Sequence, residues 1–215
     1  MNENLSSGVH EHPFRAAFKE WASVIQAMEQ GQQSVLLRKG GISEDAGRFR
    51  IEHSQFWLFP TFEHQDARYL RPEWSSLVDE TIRSQDHRGR IRISSLAHVE
   101  RAFIGPSLDA VRQLGDHYIW NDRYVESRFR LQPSEPLYLT LLRVYVLPQP
   151  VFIDYIPEYG GCRSWISLKD PIIPTNAAPA LSDPEMRALE EELSHYLGSA
   201  GVLPEALDPI RHASQ

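Results

Sequence analysis

SVLLRKGGISEDAGRFRIEHSQFWLFPTFEHQ, residues 34–65, sets glycine turns between aromatic runs and carries two Glu-His pairs, and the fold is read outward from it. Ser34 to Arg38 reads as a short buried strand, broken by Lys39-Gly40-Gly41, two residues of which accept positive φ. Phe49 and Ile51 alternate with Arg48, Arg50 and Glu52, as a half-buried strand does, and Gln55 to Phe59 reads as another, with Pro60 ending its ladder. Three short strands joined by turns predict a meander. It would set Lys39, Glu52-His53 and Glu63-His64 near strand ends.

Outward from this meander, Pro13 precedes Phe14, Phe18, Trp21, Ile25 and Met28 at helical spacing, which predicts an amphipathic helix stopped by Gly31. A helix is predicted from Pro72 and another after Pro106, with β-type alternation at Ile91 and Ile93 between them. Asn121 or Asp122 is placed to cap a short helix. LYLTLLRVYVL (137–147) is the clearest strand, with Pro148 and Pro150 predicted to end it and Arg143 needing a partner. GGCRSWISL (160–168) reads as a turn into a final strand. Ser182, Pro184 and Glu185 then signal a capped helix with Met186, Leu189, Leu193 and Leu197 on one face.

These segments predict an α+β fold with a central mixed or antiparallel sheet flanked by helices and a C-terminal helix appended. The division is a polar tail (1–12), one globular domain (13–170), a proline-rich linker (171–181), the helix (182–198) and a tail (199–215). No run approaches the roughly 18 apolar residues of a membrane span, and the start of the chain lacks a leader pattern. With Cys162 as the single cysteine, a reducing, cytoplasmic setting is expected and no disulfide framework is available.

The net charge of −7 argues against a polyanionic partner until its position is considered. Residues 1–33 hold four acids against two bases and residues 183–215 seven against two, so the ends account for the whole excess. All but three of the basic residues are arginine, the side chain that forks onto phosphate, carboxylate or base edges.

With AFKEW (17–21), LLRKGGI (36–42), EHSQFWLFPTFEHQ (52–65), RVYVLPQP (143–150) and GCRSW (161–165) in view, the chain resembles the bacterial family named domain of unknown function 1802 over roughly residues 14–170. The resemblance implies DNA-related work, because some relatives occur with restriction-endonuclease-type domains. A glycine-ended helix leading by a strand to Arg38 is also similar to the opening of PUA-like barrels, including ASCH-type domains, which bind RNA or modified bases. Gln32 and Gln33 stand where that motif favours Lys, and Leu36 where it favours Glu. This second likeness favours a small barrel over an open sheet.

Three functional expectations remain. The leading one is a nucleic-acid-binding domain, with DNA or RNA and a restriction-endonuclease-type protein as partners, no cofactor and no membrane. Arg38, Lys39, Gly40 and Gly41 would cradle an anion, and Trp57 and His64 would meet the ligand with support from Arg163 and Trp165. The competing reading of these residues is a hairpin turn and strand aromatics packed in a core. The second expectation is a metal-assisted hydrolase in which Glu52, His53, Glu63 and His64 converge on a divalent ion, against polar strand ends bonded to backbone. A restriction-type metal site at Asp154 with Ser167-Leu168-Lys169 lacks a carboxylate where Ser167 stands, and Cys162 reads as a buried structural thiol. The third is a protein-interaction module docking through the last helix. The sequence leaves open whether the chain is an enzyme and what its oligomeric state is.

Overall fold

The computed structural model describes residues 12–39, 51–86, 88–131 and 133–198. Its elements are β1 (Phe14–Trp21), α1 (Ala22–Glu29), β2 (Val35–Arg38), β3 (Gln55–Thr61), α2 (Ser76–Arg83), β4 (Arg90–Ile104), α3 (Leu108–Gln113), α4 (Asp122–Arg130), β5 (Tyr138–Asp154), β6 (Trp165–Ile172), β7 (Ala178–Pro179) and α5 (Asp183–Leu197). The fold is α+β. One mixed sheet runs in the order β2-β5-β4-β3-β1-β6, with β7 on β5; β1 and β3 are parallel and the other pairs antiparallel.

The predicted opening helix is instead a strand followed by a two-turn helix. β1 pairs with β3 on one side and β6 on the other, and apolar residues cover both of its faces. Consecutive Ala17 and Phe18 are therefore both buried, and an irregularity between Phe14 and Ala16 removes the remaining period-two signal. The helix begins only at Ala22 and ends where expected, with Gly31 at φ +71°. A Cβ on Gly31 would stand 2.9 Å from Leu181 Cδ2 and 3.2 Å from Ala180 O, so the glycine also admits the chain leading to α5.

The prolines predicted to end strands lie inside them. Pro60 pairs with Glu20 of β1 on a stretch of β3 beyond its ladder with β4, where a missing N–H costs no bond. On β5, Ile93 of β4 is opposite Val151 while Ser95 is opposite Val146. Residues 147–150, with both Pro148 and Pro150, thus bulge against Ser94 alone, and the strand continues to Asp154. The segment 171–181 carries the end of β6 and all of β7, so it joins the sheet and does not hang as a spacer. The expected capping box forms at Ser182 and Glu185, and Met186, Leu189 and Leu193 are buried in the main core. Arg143 finds its partners in Glu100 at 2.9 Å and Asp183 at 2.5 Å, tying the start of α5 to the sheet.

A flat sheet in this order would hold β2 four strand spacings, about 19 Å, from β1. Arg38 of β2 nevertheless donates to Lys19 O at 3.2 Å and to Glu20 Oε2 at 2.5 Å on β1. The sheet has rolled until its β2 end meets β1 through side chains, enclosing the larger core that includes Phe18, Phe56, Leu58 and Val99. A smaller apolar core of Ala17, Trp57, Phe59, Leu96 and Leu168 fills the opposite face. Among the described residues no helix is long and apolar enough to cross a membrane.

Candidate functional site

The meeting of β2 with β1 creates a charged seam beside the main core. Glu20 is 3% exposed; one carboxylate oxygen takes the Arg38 guanidinium, and the other accepts the Trp21 N–H at 2.7 Å. The Arg38 guanidinium also lies 4.8 Å from the centre of the Phe18 ring. Both oxygens of this buried acid are engaged.

α4 supplies the opposite wall. Asn121 caps it by accepting from Tyr124 N at 3.2 Å, and its amide donates to Arg68 O and Leu70 O, which fixes the helix against the preceding loop. Tyr124 and Arg128, four residues apart, then project from one face. The Arg128 guanidinium stacks 4.5 Å from the Tyr124 ring centre, and burial of Tyr124 pushes that phenol's pKa up. Among the described residues Arg128 makes no ion pair; Glu20, which acts on it at longer range, is already held by Arg38. Around the Tyr124 ring stand Trp21, at 5.5 Å, and Tyr69, at 5.9 Å with Arg123 over its own ring. Trp21 and Tyr69 are half-buried, whereas Tyr124 and the Trp120 stacked beneath it are buried. The result is an aromatic platform with three guanidiniums and one neutralised carboxylate.

Across Phe18 the aromatic contacts continue. Trp165 meets Phe18 edge-on at 4.9 Å and His53 at 5.4 Å, and an open depression of 360 Å³ follows, lined by Arg15, Glu52, His53, Arg163, Trp165 and Ser167. Arg15 donates to Leu168 O at 3.1 Å, which holds it along the β6 edge.

The sequence-predicted residues divide between these places and others. Arg163 and Trp165 share the depression with Glu52 and His53, both exposed and outside any strand, so alternation does not separate them. Lys39 donates to Phe129 O and Leu131 O at 3.1 and 2.7 Å, a cation on the carbonyl end of α4, and so positions that helix. Gly40 and Gly41 lie outside the described residues, as do Arg48 to Arg50 of the predicted middle strand. Trp57 cannot serve as a stacking face. It is fully buried in the opposite core, stacked 4.9 Å from Phe14 with its indole N–H donating to Phe14 O. His64 is exposed at φ +65° in the turn after β3.

The two Glu-His pairs do not converge. One precedes β3 and the other follows it, and seven strand residues span about 20 Å. No group of three or more His, Cys, Asp or Glu is placed to hold a metal ion among the described residues. Asp154 on β5 and Ser167–Lys169 on β6 belong to strands that are not neighbours. Cys162 is exposed, against the expectation of a buried thiol. Sequence reasoning passed over Glu20, Trp21 and Tyr69. Trp21 fitted a helical core stripe, and nothing local shows that Glu20 meets a strand four places away.

No curated protein matches the chain. Among solved structures it is similar to the ASCH protein of Zymomonas mobilis, with 14% identity over 82% of this chain and 93% of that one and a TM-score of 0.41. Two point variants of that protein match with TM-scores of 0.42 and 0.41, at 14% and 15% identity, covering 82% and 84% of this chain and 96% and 98% of theirs. A family model matches residues 17–192, from within β1 into α5, and so reaches past the stretch over which sequence motifs carried the resemblance. The chain belongs to the family described as domain of unknown function (DUF1802).

Proposed function

We propose that the protein is a nucleic-acid-binding domain that takes up a single strand across the seam between β1, β2 and α4. The observation that supports this reading is Arg128: a half-buried guanidinium, stacked on Tyr124, that makes no ion pair among the described residues. Such a group favours a phosphate or the face of a base, and the half-buried rings of Trp21 and Tyr69 offer the stacking that unpaired bases use. The depression at Trp165, with Arg15 and Arg163, extends the same surface for a neighbouring nucleotide. At the seam Glu20 is engaged by Arg38 and Asp66 by Arg68, which leaves Arg123 and Arg128 to set the local charge against the negative total carried by the chain ends. A restriction-endonuclease-type protein is the partner proposed to act beside it.

The test is a titration of fluorescent single- and double-stranded DNA and RNA at low and moderate salt, with and without divalent metal. Single strands are expected to bind, and to bind more weakly as salt rises. Absent or salt-independent binding overturns the proposal, and cleavage that needs the metal replaces it with a metal-assisted hydrolase.

A further inference from the structure

α1, the end of β3, α2 and the beginning of β4 enclose a separate cavity of 460 Å³, within the usual range for small-molecule sites. Ala22, Ile25, Gln26 and Glu29 recur along one side of α1, so the helix offers an apolar half and a polar half to the same space. Ala22 and Ile25 stand with Pro60 and Phe62 as apolar walls.

The polar half is organised around Glu29. Its Oε1 accepts from the hydroxyls of both Ser94 and Ser95, the latter at 2.8 Å. Arg92 Nη1 donates to Ser94 Oγ at 2.8 Å and stays 4.0 Å from Glu29 Oε2. One carboxylate oxygen is therefore saturated and the other is left as an acceptor, fixed in place by two serines. Asp86 and Arg90 neutralise each other at 2.7 Å on the rim. Gln26 and Gln85 line the cavity, and neither side-chain amide makes a hydrogen bond among the described residues.

This arrangement selects a class of ligand. Two acids balance two arginines, so neither a polyanion nor a free cation is favoured, and a metal lacks ligands. A neutral planar ring suits the apolar walls, and an edge with adjacent N–H donors and carbonyl acceptors suits an open carboxylate oxygen beside free amides.

We propose that this cavity is a nucleobase pocket for a guanine nucleoside, with Glu29 accepting from the N1–H and 2-amino edge and the Gln26 and Gln85 amides and Arg92 meeting O6 and N7. Adenine would turn its N1 lone pair toward the Glu29 carboxylate and is discriminated against for that reason. None of these residues belongs to the seam around Arg128, so the pocket stands or falls separately from the strand-binding proposal.

Guanosine, inosine and adenosine are titrated against the full chain by saturation-transfer NMR. Saturable guanosine binding is expected, with adenosine about tenfold weaker and inosine between them for want of the 2-amino group. Glu29→Gln, which keeps the shape and removes the charge, and Gln85→Ala, an exposed change that leaves the core intact, should each weaken guanosine about tenfold. Arg128→Ala should leave it unchanged. Lack of saturable guanosine binding, equal binding of adenosine, or binding that ignores Gln85→Ala overturns the proposal.

Discussion

The two faces of the central strands show how one residue of offset changes a side chain's work. On one face Ala17, Trp57 and Phe59 meet only apolar neighbours, and the one polar atom of Trp57 is satisfied by Phe14 O. On the other, Phe18 and Glu20 stand among Arg38, Arg128, Tyr124 and Trp165, so charge and aromatic rings are interleaved next to the main core. Trp57 and its neighbour Phe56 are both buried aromatics, yet only Phe56 contacts the Trp165 side. The lesson is that a sheet covered on both faces assigns stability to one parity of residues and leaves chemistry to the other.

Four measurements would break or sharpen this contrast. Trp57→Ala should cost about 3–5 kcal/mol in denaturant unfolding, by emptying the apolar face, and leave strand affinity unchanged where the protein is folded. A loss of affinity beyond the unfolded fraction would dissolve the distinction. Glu20→Gln should cost about 3 kcal/mol by stranding the Arg38 guanidinium, and adding Arg38→Met should restore part of it. Full additivity of the two changes would mean that the seam is not a coupled unit.

Arg128→Ala should lower affinity for a single strand about tenfold and reduce the salt slope by about one unit, with a small change in unfolding midpoint. Arg128→Lys should recover the slope but not all of the affinity, because an ammonium does not stack on Tyr124 as a guanidinium does. The smallest effect concerns alkaline pH. Burial pushes the Tyr118 phenol to about 12 from its ordinary value of 10. The fold therefore holds the proton more tightly than the unfolded chain, and the stability linked to it is complete below pH 10 and lost between 10 and about 12. Tyr118→Phe should flatten that limb of a stability-against-pH curve without abolishing it, since Tyr124 and Tyr145 are also raised by burial.

Much of the fold was legible where a signal was local. The Asn121 cap, the Ser182 capping box, the Gly31 stop and the strand at 137–147 each rest on neighbours within a few positions, and each appears. Phe14 to Trp21 hides its strand because alternation vanishes in a strand buried on both faces, and Phe14, Phe18 and Trp21 then imitate a helical stripe. Pro148 reads as a stop because nothing in the sequence shows that β4 leaves room for a four-residue bulge. The candidate site fared similarly. Trp165, Arg163 and His53 were recognisable by type, but the Glu20–Arg38 contact depends on the roll of the whole sheet, a property of no single segment.

The pairing of β1 with β6 also sets a timetable. Phe14 and Phe18 lie opposite Ile172 and Trp165, nearly the longest loop closure available between strands in this chain. At ribosomal rates of about 5–20 residues per second, the first strand waits on the order of ten seconds for the partner that covers its outer edge. Until then that edge is an open template for pairing with other nascent chains. The molecule is therefore expected to fold slowly for its size, with its greatest exposure to misassembly falling before β6 leaves the ribosome.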